Sequence, residues 1–429
     1  MNYVSTRGQA PAVSIGAALR DGLAPDGGLY VPAALPRLSA VDFDGLVALP
    51  AIAERLLRPF FAGDPLHDAL APICADAFDF PAPLKPFGGD GSRLLELFHG
   101  PTAAFKDFGA RFLAECLART RAPADPVLTI LVATSGDTGA AVAAAFHRRH
   151  GFRVVILYPD GRVSPRQAHQ LGCFGDNVQA LRVAGSFDDC QRLVKQALAD
   201  ADLRERCPLS SANSISLGRL LPQMAYYAAA ALEWARTHPR PLGLIVPTGN
   251  LGNALAAILV RAIGLPLGPV VLANNANRVL ADFFAGADYA PRVSVATLAN
   301  AMDVGAPSNF ERLAWLYPEP ARLREAVTSQ SVEDAEIRAT IAATATRRGI
   351  VVCPHTACAA AVLERLRAAG DRGDYAVVAT AHPAKFERIV EPLAGHVEPP
   401  PALADLLARP ATAEPLDASY GALRERLLG

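Results

Sequence analysis

Lysine is almost missing from this sequence. Of its 41 basic residues only Lys85, Lys106, Lys195 and Lys385 are lysines, against 37 arginines. Arginine serves ion pairs and phosphate contacts at least as well, and it never gives up its proton in a protein. A lysine kept against that bias invites a task that only an amine can perform, such as forming a Schiff base, although the bias alone does not say which lysine. An excess of one charge is lacking too. The formal net charge is −1, which leaves no electrostatic footprint for nucleic acid and no polybasic patch for a membrane. No apolar run reaches the ~18 residues of a spanning helix without a Gly, Pro or Asn interruption. The first residues, "MNYVSTRGQAPAVSIGAALRDGLAPDG", have no signal-peptide core. Seven cysteines, an odd number, are scattered with no disulfide-like framework. A reduced, soluble, cytoplasmic protein is expected.

What the sequence does have is apolar bulk. Hydrophobic residues make up 51% of 429 and charged ones 19%, enough for two or three globular domains. The first ~90 residues mix turns with a helical piece, "FDGLVALPAIAERLLRPFFAG". The rhythm then changes. "PVLTILVATSGDTGAAVAAAFHRRHG" and "PLGLIVPTGNLGNALAAILVRAIGLP" each read as strand, Gly loop and helix. "FRVVILYPDG" and "GPVVLANNANR" add strands, and "GIVVCPHTACAAAVLERLRAAG" and "YAVVATAHPAKFERIVEPL" two more strand-to-helix steps. Strands alternating with helices argue for an α/β protein with parallel sheets covered on both faces. Right-handed crossovers put the loops at the strand carboxyl ends, where ligands bind. Two such sheets with a cleft between them is the expected architecture.

Two Gly loops are candidate anion sites. In "IVPTGNLGNALAAILV", Gly249 and Gly252 permit a tight turn into a helix start, whose amides and dipole favour a phosphate. The loop is neither the dinucleotide fingerprint nor a P-loop; the other reading is a plain strand–turn–helix with Asn caps. "ATSGDTGAAV" crowds Thr134, Ser135, Asp137 and Thr138 around Gly136 and Gly139, which suits a carboxylate or other small anion. Alternatively Asp137 or Thr138 merely caps the helix. In "HGPTAAFKDFGARFL", Phe105, Phe108 and Phe112 form one helical stripe, and Lys106 lies one position off it near the helix start. A positive helix end lowers an amine pKa, as a nucleophile needs. Lys195 reads as a solvated helix position and Lys85 as a loop residue between prolines. Lys385, after "TAHPA", stays open.

Seven segments in order, "GLAPDGGLYVP", "HGPTAAFKDFG", "ATSGDTGAAV", "SANSISLGR", "PTGNLGN", "AMDVGAPSNFERL" and "TAHPAKF", resemble those of the threonine synthase family. These are pyridoxal-phosphate enzymes of the tryptophan-synthase-β-like fold (fold type II). The resemblance implies two parallel-rich, helix-covered sheet domains with the cofactor in the cleft. It divides the chain into an N-terminal segment 1–90, a small mobile domain 91–215 and a large cofactor-binding domain 216–429. It implies that Lys106 is the catalytic Schiff-base lysine, with Gly249, Asn250, Leu251 and Asn253 around the cofactor phosphate. Thr380 would meet the pyridine nitrogen as a neutral partner. Ser135, Gly136, Asp137 and Thr138 would meet the substrate carboxylate or the ring's phenolic oxygen; Asn213, Ser214 and Arg219 would hold the substrate's own phosphate. The implied reaction is that of a carbon–oxygen lyase acting on phosphates. It converts O-phospho-L-homoserine and water to L-threonine and phosphate, the last step of threonine biosynthesis.

There are departures. Ser216 stands where the family usually has Asn, Leu251 where Phe is common, and "CPHTAC" where "DPHTA" is usual. The first touches the substrate-phosphate contacts; the other two read as packing changes. Competing readings are a sister pyridoxal-phosphate lyase, such as a threonine/serine dehydratase or an amino-acid phospho-lyase, and a non-catalytic nucleotide-binding module. A metal enzyme built on Cys353, His355 and Cys358 would have only three ligands, and no metal is expected. Oligomeric state, monomer or homodimer, is left open.

Overall fold

The computed structural model describes all 429 residues. Its strands, in chain order, are β1 (Tyr3–Ser5), β2 (Tyr30–Pro32), β3 (Leu84–Pro86), β4 (Arg93–Glu96), β5 (Leu128–Ala133), β6 (Phe152–Pro159), β7 (Val178–Val183), β8 (Leu209–Ser211), β9 (Leu242–Pro247), β10 (Leu267–Asn274), β11 (Val327–Ser331), β12 (Tyr375–Ala379) and β13 (Glu414–Leu416). Two sheets organise the molecule. One has the order β11-β10-β9-β12-β4-β3, parallel except for the β3–β4 edge. The other, β13-β7-β6-β5-β8, is parallel throughout. This is the expected α/β architecture. β1 and β2 form a separate antiparallel ribbon.

The strands are apolar along their length because both faces are covered. "LTILVA" of β5 and "LGLIVP" of β9 are buried at every position. The period of two then assigns alternate residues to different cores. Leu244 and Val246 of β9 join the main core while Ile245 faces a second one, under the helices Asp334–Arg348 and Pro354–Ala368. In β5, Ile130 and Val132 face the main core, whereas Leu131 and Ala133 face a third, covered by the helix Phe187–Ala199 and the C-terminal helix Tyr420–Leu428. That main core also takes Phe108 and Phe112 from the helix Lys106–Arg119, so the aromatic stripe packs inward.

Consecutive boundaries at residues 90/91 and 215/216 do not follow the sheets. β4 pairs with β12 although it precedes the small sheet in the chain, and β13 closes the edge of the small sheet although it follows the large one. Two further expectations are corrected. "GIVV" forms no strand. The helix Asp334–Arg348 ends at left-handed Gly349 (φ 66°), and Pro354 already opens the next helix, so only a short extended connection remains. Lys85 lies in edge strand β3, not in a loop, and pairs with Glu96 at 2.9 Å.

Candidate active site

A cavity of about 150 Å3 opens between the two sheets. It is lined by residues after the carboxyl ends of β5 (Thr134, Ser135, Asp137, Thr138), β9 (Thr248 to Ala254) and β12 (Thr380), where parallel sheets present ligand-binding loops. Lys106, Asn213, Ser214, Arg219, Gly249, Asn250, Leu251 and Asn253 complete the set of expected residues on its walls. Gly136 is the exception: it does not line the cavity but makes the turn beneath it, at φ 132°, a conformation that side-chain-bearing residues rarely adopt.

Lys106 is the first residue of its helix. The entry to that helix is tied to the end of β12, because the Phe105 amide donates to the Thr380 carbonyl (2.8 Å) and Ala104 bridges Ala381. The lysine therefore stands at the cleft by main-chain pairing. Burial lowers its amine to about 8; Asp137 opposes the shift, while Arg219 and Lys385 reinforce it. Desolvation is the first cause of the shift.

Asp137 does not cap its helix; the N-cap is Gly136, with no side-chain bond. Instead its carboxylate meets the fully buried Lys385 ammonium at 2.9 Å and accepts from Gln167 Nε2, also at 2.9 Å. Burial would raise this carboxyl, but Lys385, then Lys106 and His355, carry it well below the usual carboxylate range. Lys385 also donates to the Thr102 carbonyl (2.7 Å). A lysine left open by the sequence is thus the counter-charge of the Gly136 loop.

The loop after β9 is held by its asparagines, though not as caps. Asn250 donates to Ser214 Oγ (2.5 Å) and accepts from the Ser308 amide (2.5 Å). Asn253 Oδ1 accepts from Tyr226 (2.6 Å) and Tyr227 (2.8 Å), which leaves its buried Nδ2 without a partner. Leu251 caps the helix Gly252–Ala262 in the left-handed region, φ 66°, a local cost of roughly 1–2 kcal/mol for a residue with a Cβ. Its buried side chain in the main core holds it there. Arg219 is buried, donates through Nη1 to the Ala212 carbonyl, and has no partner for Nε. Burial lowers its guanidinium to about 10, opposed by Asp107.

Several cavity residues escaped the sequence reading. Lys195 lines the cavity with Phe187, Gln191, Val194 and Leu198, one face of its helix; an exposed lysine in a mixed-polarity helix carries no signal of that. Asp303 also faces it, braced by Thr297 Oγ1 and Asn275 Nδ2, both at 2.7 Å, and burial raises its carboxyl to about 6. His355, lowered by burial to about 4, accepts from the Ala301 amide (3.1 Å). Cys353 Sγ caps the helix Pro354–Ala368 by accepting from the Thr356 amide (3.4 Å), and Cys358 bonds the Pro354 carbonyl. The "CPHTAC" cysteines therefore have structural work. Ser216 lies outside the cavity wall, its hydroxyl buried without a partner.

These residues fit pyridoxal phosphate. A half-buried amine of lowered pKa shares the cavity with a helix N-terminus that holds no carboxylate, and unpartnered donors, Asn253 Nδ2 and Arg219 Nε, belong to residues on the same wall.

Comparisons with known proteins agree. The family described as pyridoxal-phosphate dependent enzyme matches residues 94–383, threonine synthase N terminus residues 2–78, and threonine synthase, C-terminal residues 356–426. Threonine synthase from Serratia marcescens is 40% identical, covering 97% of this chain and 96% of that protein. The crystal structure of threonine synthase from Escherichia coli superimposes with a TM-score of 0.91 at 35% identity, covering 100% of this chain and 99% of that one. A structure of PLP-bound threonine synthase from Brucella melitensis gives 0.90 at 33%, with the same coverage. Matched from its first strand to its last helix, and at such identity, this chain belongs to the threonine synthase family of pyridoxal-phosphate-dependent enzymes.

Proposed function

We propose that this chain converts O-phospho-L-homoserine and water to L-threonine and inorganic phosphate. The observation that carries the reading is the placement of one low-pKa amine, Lys106, between two anion-accepting loops on the wall of a single cavity. When bound, pyridoxal phosphate supplies an aldehyde for that amine and a conjugated ring that accepts the electrons of a broken Cα–H bond.

Gly249, Asn250, Leu251 and Asn253 would hold the cofactor phosphate, Thr380 would offer its hydroxyl to the pyridine nitrogen, and Asp137, kept anionic by Lys385, would orient the ring side. Ser135 and Thr138 receive the substrate carboxylate above the turn shaped by Gly136. Asn213, Ser214 and Arg219 receive the substrate phosphate; Arg219 brings a buried cation whose Nε has no partner. With the substrate's amine in its place on the cofactor aldehyde, Lys106 Nζ would be free to take the Cα proton and hand it to the phosphate leaving Cγ, to move a Cβ proton to Cγ, and, as water gives its hydroxyl to Cβ, to pass water's proton back to Cα. An amine near 8 can both take and return protons at neutral pH. The unit carrying the small sheet closes over the cleft and excludes water until the addition step. No helix is long and apolar enough to cross a membrane, in keeping with a cytoplasmic enzyme.

The test is an assay of phosphate release and threonine formation from phosphohomoserine beside serine and threonine, with visible spectra before and after each addition. Keto-acid formation from serine or threonine, without threonine from phosphohomoserine, would favour a sister lyase instead.

A further inference from the structure

Arg312 and Asn309 lie outside the cavity wall, yet both anion loops hang on them. Arg312 is 2% exposed and has no carboxylate within ion-pair distance; the neighbouring Glu311 is taken by Thr6 and Arg7. All three of its contacts are neutral oxygens from three parts of the chain. Nε donates to the Tyr30 carbonyl in β2 (3.0 Å), Nη2 to the Ile215 carbonyl (2.6 Å) and Nη1 to Asn309 Oδ1 (2.7 Å). Asn309 Nδ2 in turn donates to the carbonyls of Ser214 (3.2 Å) and Asn250 (3.1 Å). The two loops touch, through Asn250 Nδ2 on Ser214 Oγ and through Gly252, where a Cβ would stand 3.6 Å from Asn309 Nδ2 and 3.7 Å from Ser214 Cβ. A buried cation that neutralises no anion is costly, and its charge remains available to whatever anion the adjacent loops hold.

We propose that Arg312, through Asn309, is a positioning residue that fixes the spacing of the loops at 213–215 and 249–251 and lends them positive potential, so that the two phosphate-ester sites form one bracket anchored to the N-terminal ribbon. The proposal rests on the loop assignments made above under the proposed function. A lysine cannot replace it, because a single ammonium on a flexible stem does not reproduce a planar fork spanning three elements.

The test strips holoenzyme of its cofactor and measures reloading with pyridoxal 5′-phosphate and with pyridoxal, which lacks the phosphate. In N309A and R312M we expect affinity for the phosphate ester to fall by about tenfold or more, the worth of a hydrogen bond to a charged group, with pyridoxal affinity nearly unchanged. R312K should behave like R312M. Reloaded N309A should show a raised KM for phosphohomoserine with a smaller change in kcat. Equal weakening toward pyridoxal and its phosphate, or no weakening in N309A, would overturn the bracket. Should R312M fail to fold, N309A decides alone. A wild-type protein that discriminates the two vitamers but makes no threonine sinks the proposed reaction and leaves the bracket standing.

Discussion

At the scale of single residues, the site is governed by how few charges it buries and how they are paired. Lys106 and Lys385 share one carboxylate, Asp137, and the direct contact goes to Lys385. Lys106 is thereby left without a partner at hydrogen-bond distance among the ion pairs, and desolvation lowers it to about 8. Below that pH the folded protein carries an ammonium there, so the fraction able to attack an aldehyde falls tenfold per unit. We expect the rate of aldehyde capture by cofactor-free protein to rise with pH up to about 8 and flatten above it. A profile still rising at pH 10 would mean an unperturbed lysine. Lys106→Ala should lose the bound chromophore and turnover together, and borohydride reduction with peptide mapping should mark Lys106; a label on Lys385 would reverse the assignment. The Asp137–Lys385 pair makes a second expectation. Asp137→Asn or Lys385→Met alone breaks the direct buried pair, a loss of about 3–5 kcal/mol in denaturant unfolding. The double variant should be destabilised by clearly less than the two losses combined. Because Lys385 also pushes the Lys106 amine down, Lys385→Met should move the capture profile to higher pH.

At the scale of elements, glycine and a strained leucine bring backbone close to the cavity. A Cβ on Gly249 would come within 2.7 Å of Met302 Cα and 3.2 Å of the Ala301 carbonyl. Both are main chain and cannot rotate away, so the loop after β9 and the turn Asn300–Met302 approach each other only with glycine there. Gly249→Ala should keep the fold and weaken retention of the cofactor by about tenfold or more, measured by dialysis against an amine trap. Unchanged retention would show that the loop has slack the packing does not suggest.

For the whole molecule, the chain crosses between its two sheets more often than its order implies. After the large sheet is complete, β13 pairs with β7, the Thr412 amide donates to the Gly172 carbonyl, and Arg153 donates to the carbonyls of Arg426 and Leu427. The helix Tyr420–Leu428 contributes Leu423 and Leu427 to the outer core of the small sheet. Removing residues 410–429 should therefore raise hydrogen exchange in β7 and β6 by orders of magnitude while β9 and β10 stay protected. Uniform loss of protection would mean the two sheets unfold as one unit.

The sequence by itself determined the elements whose signal is local. Apolar runs such as "LTILVA" and "LGLIVP" specify strands buried on both faces, and glycine before an Ala-rich helix specifies the loops, because backbone conformation depends on near neighbours. The order of seven motifs was enough for the family, and the bias against lysine was enough to single out the amines. Only the tertiary structure decided where the other lysines stand: it paired Lys385 with Asp137 across 248 positions, turned Lys195 toward the cavity, and kept Lys85 on an edge strand. It alone revealed Arg312 holding β2, the 213–215 loop and Asn309 together. Burial, and with it the state of every titrating group here, is set by what distant segments bring alongside, and no spacing along the chain encodes that.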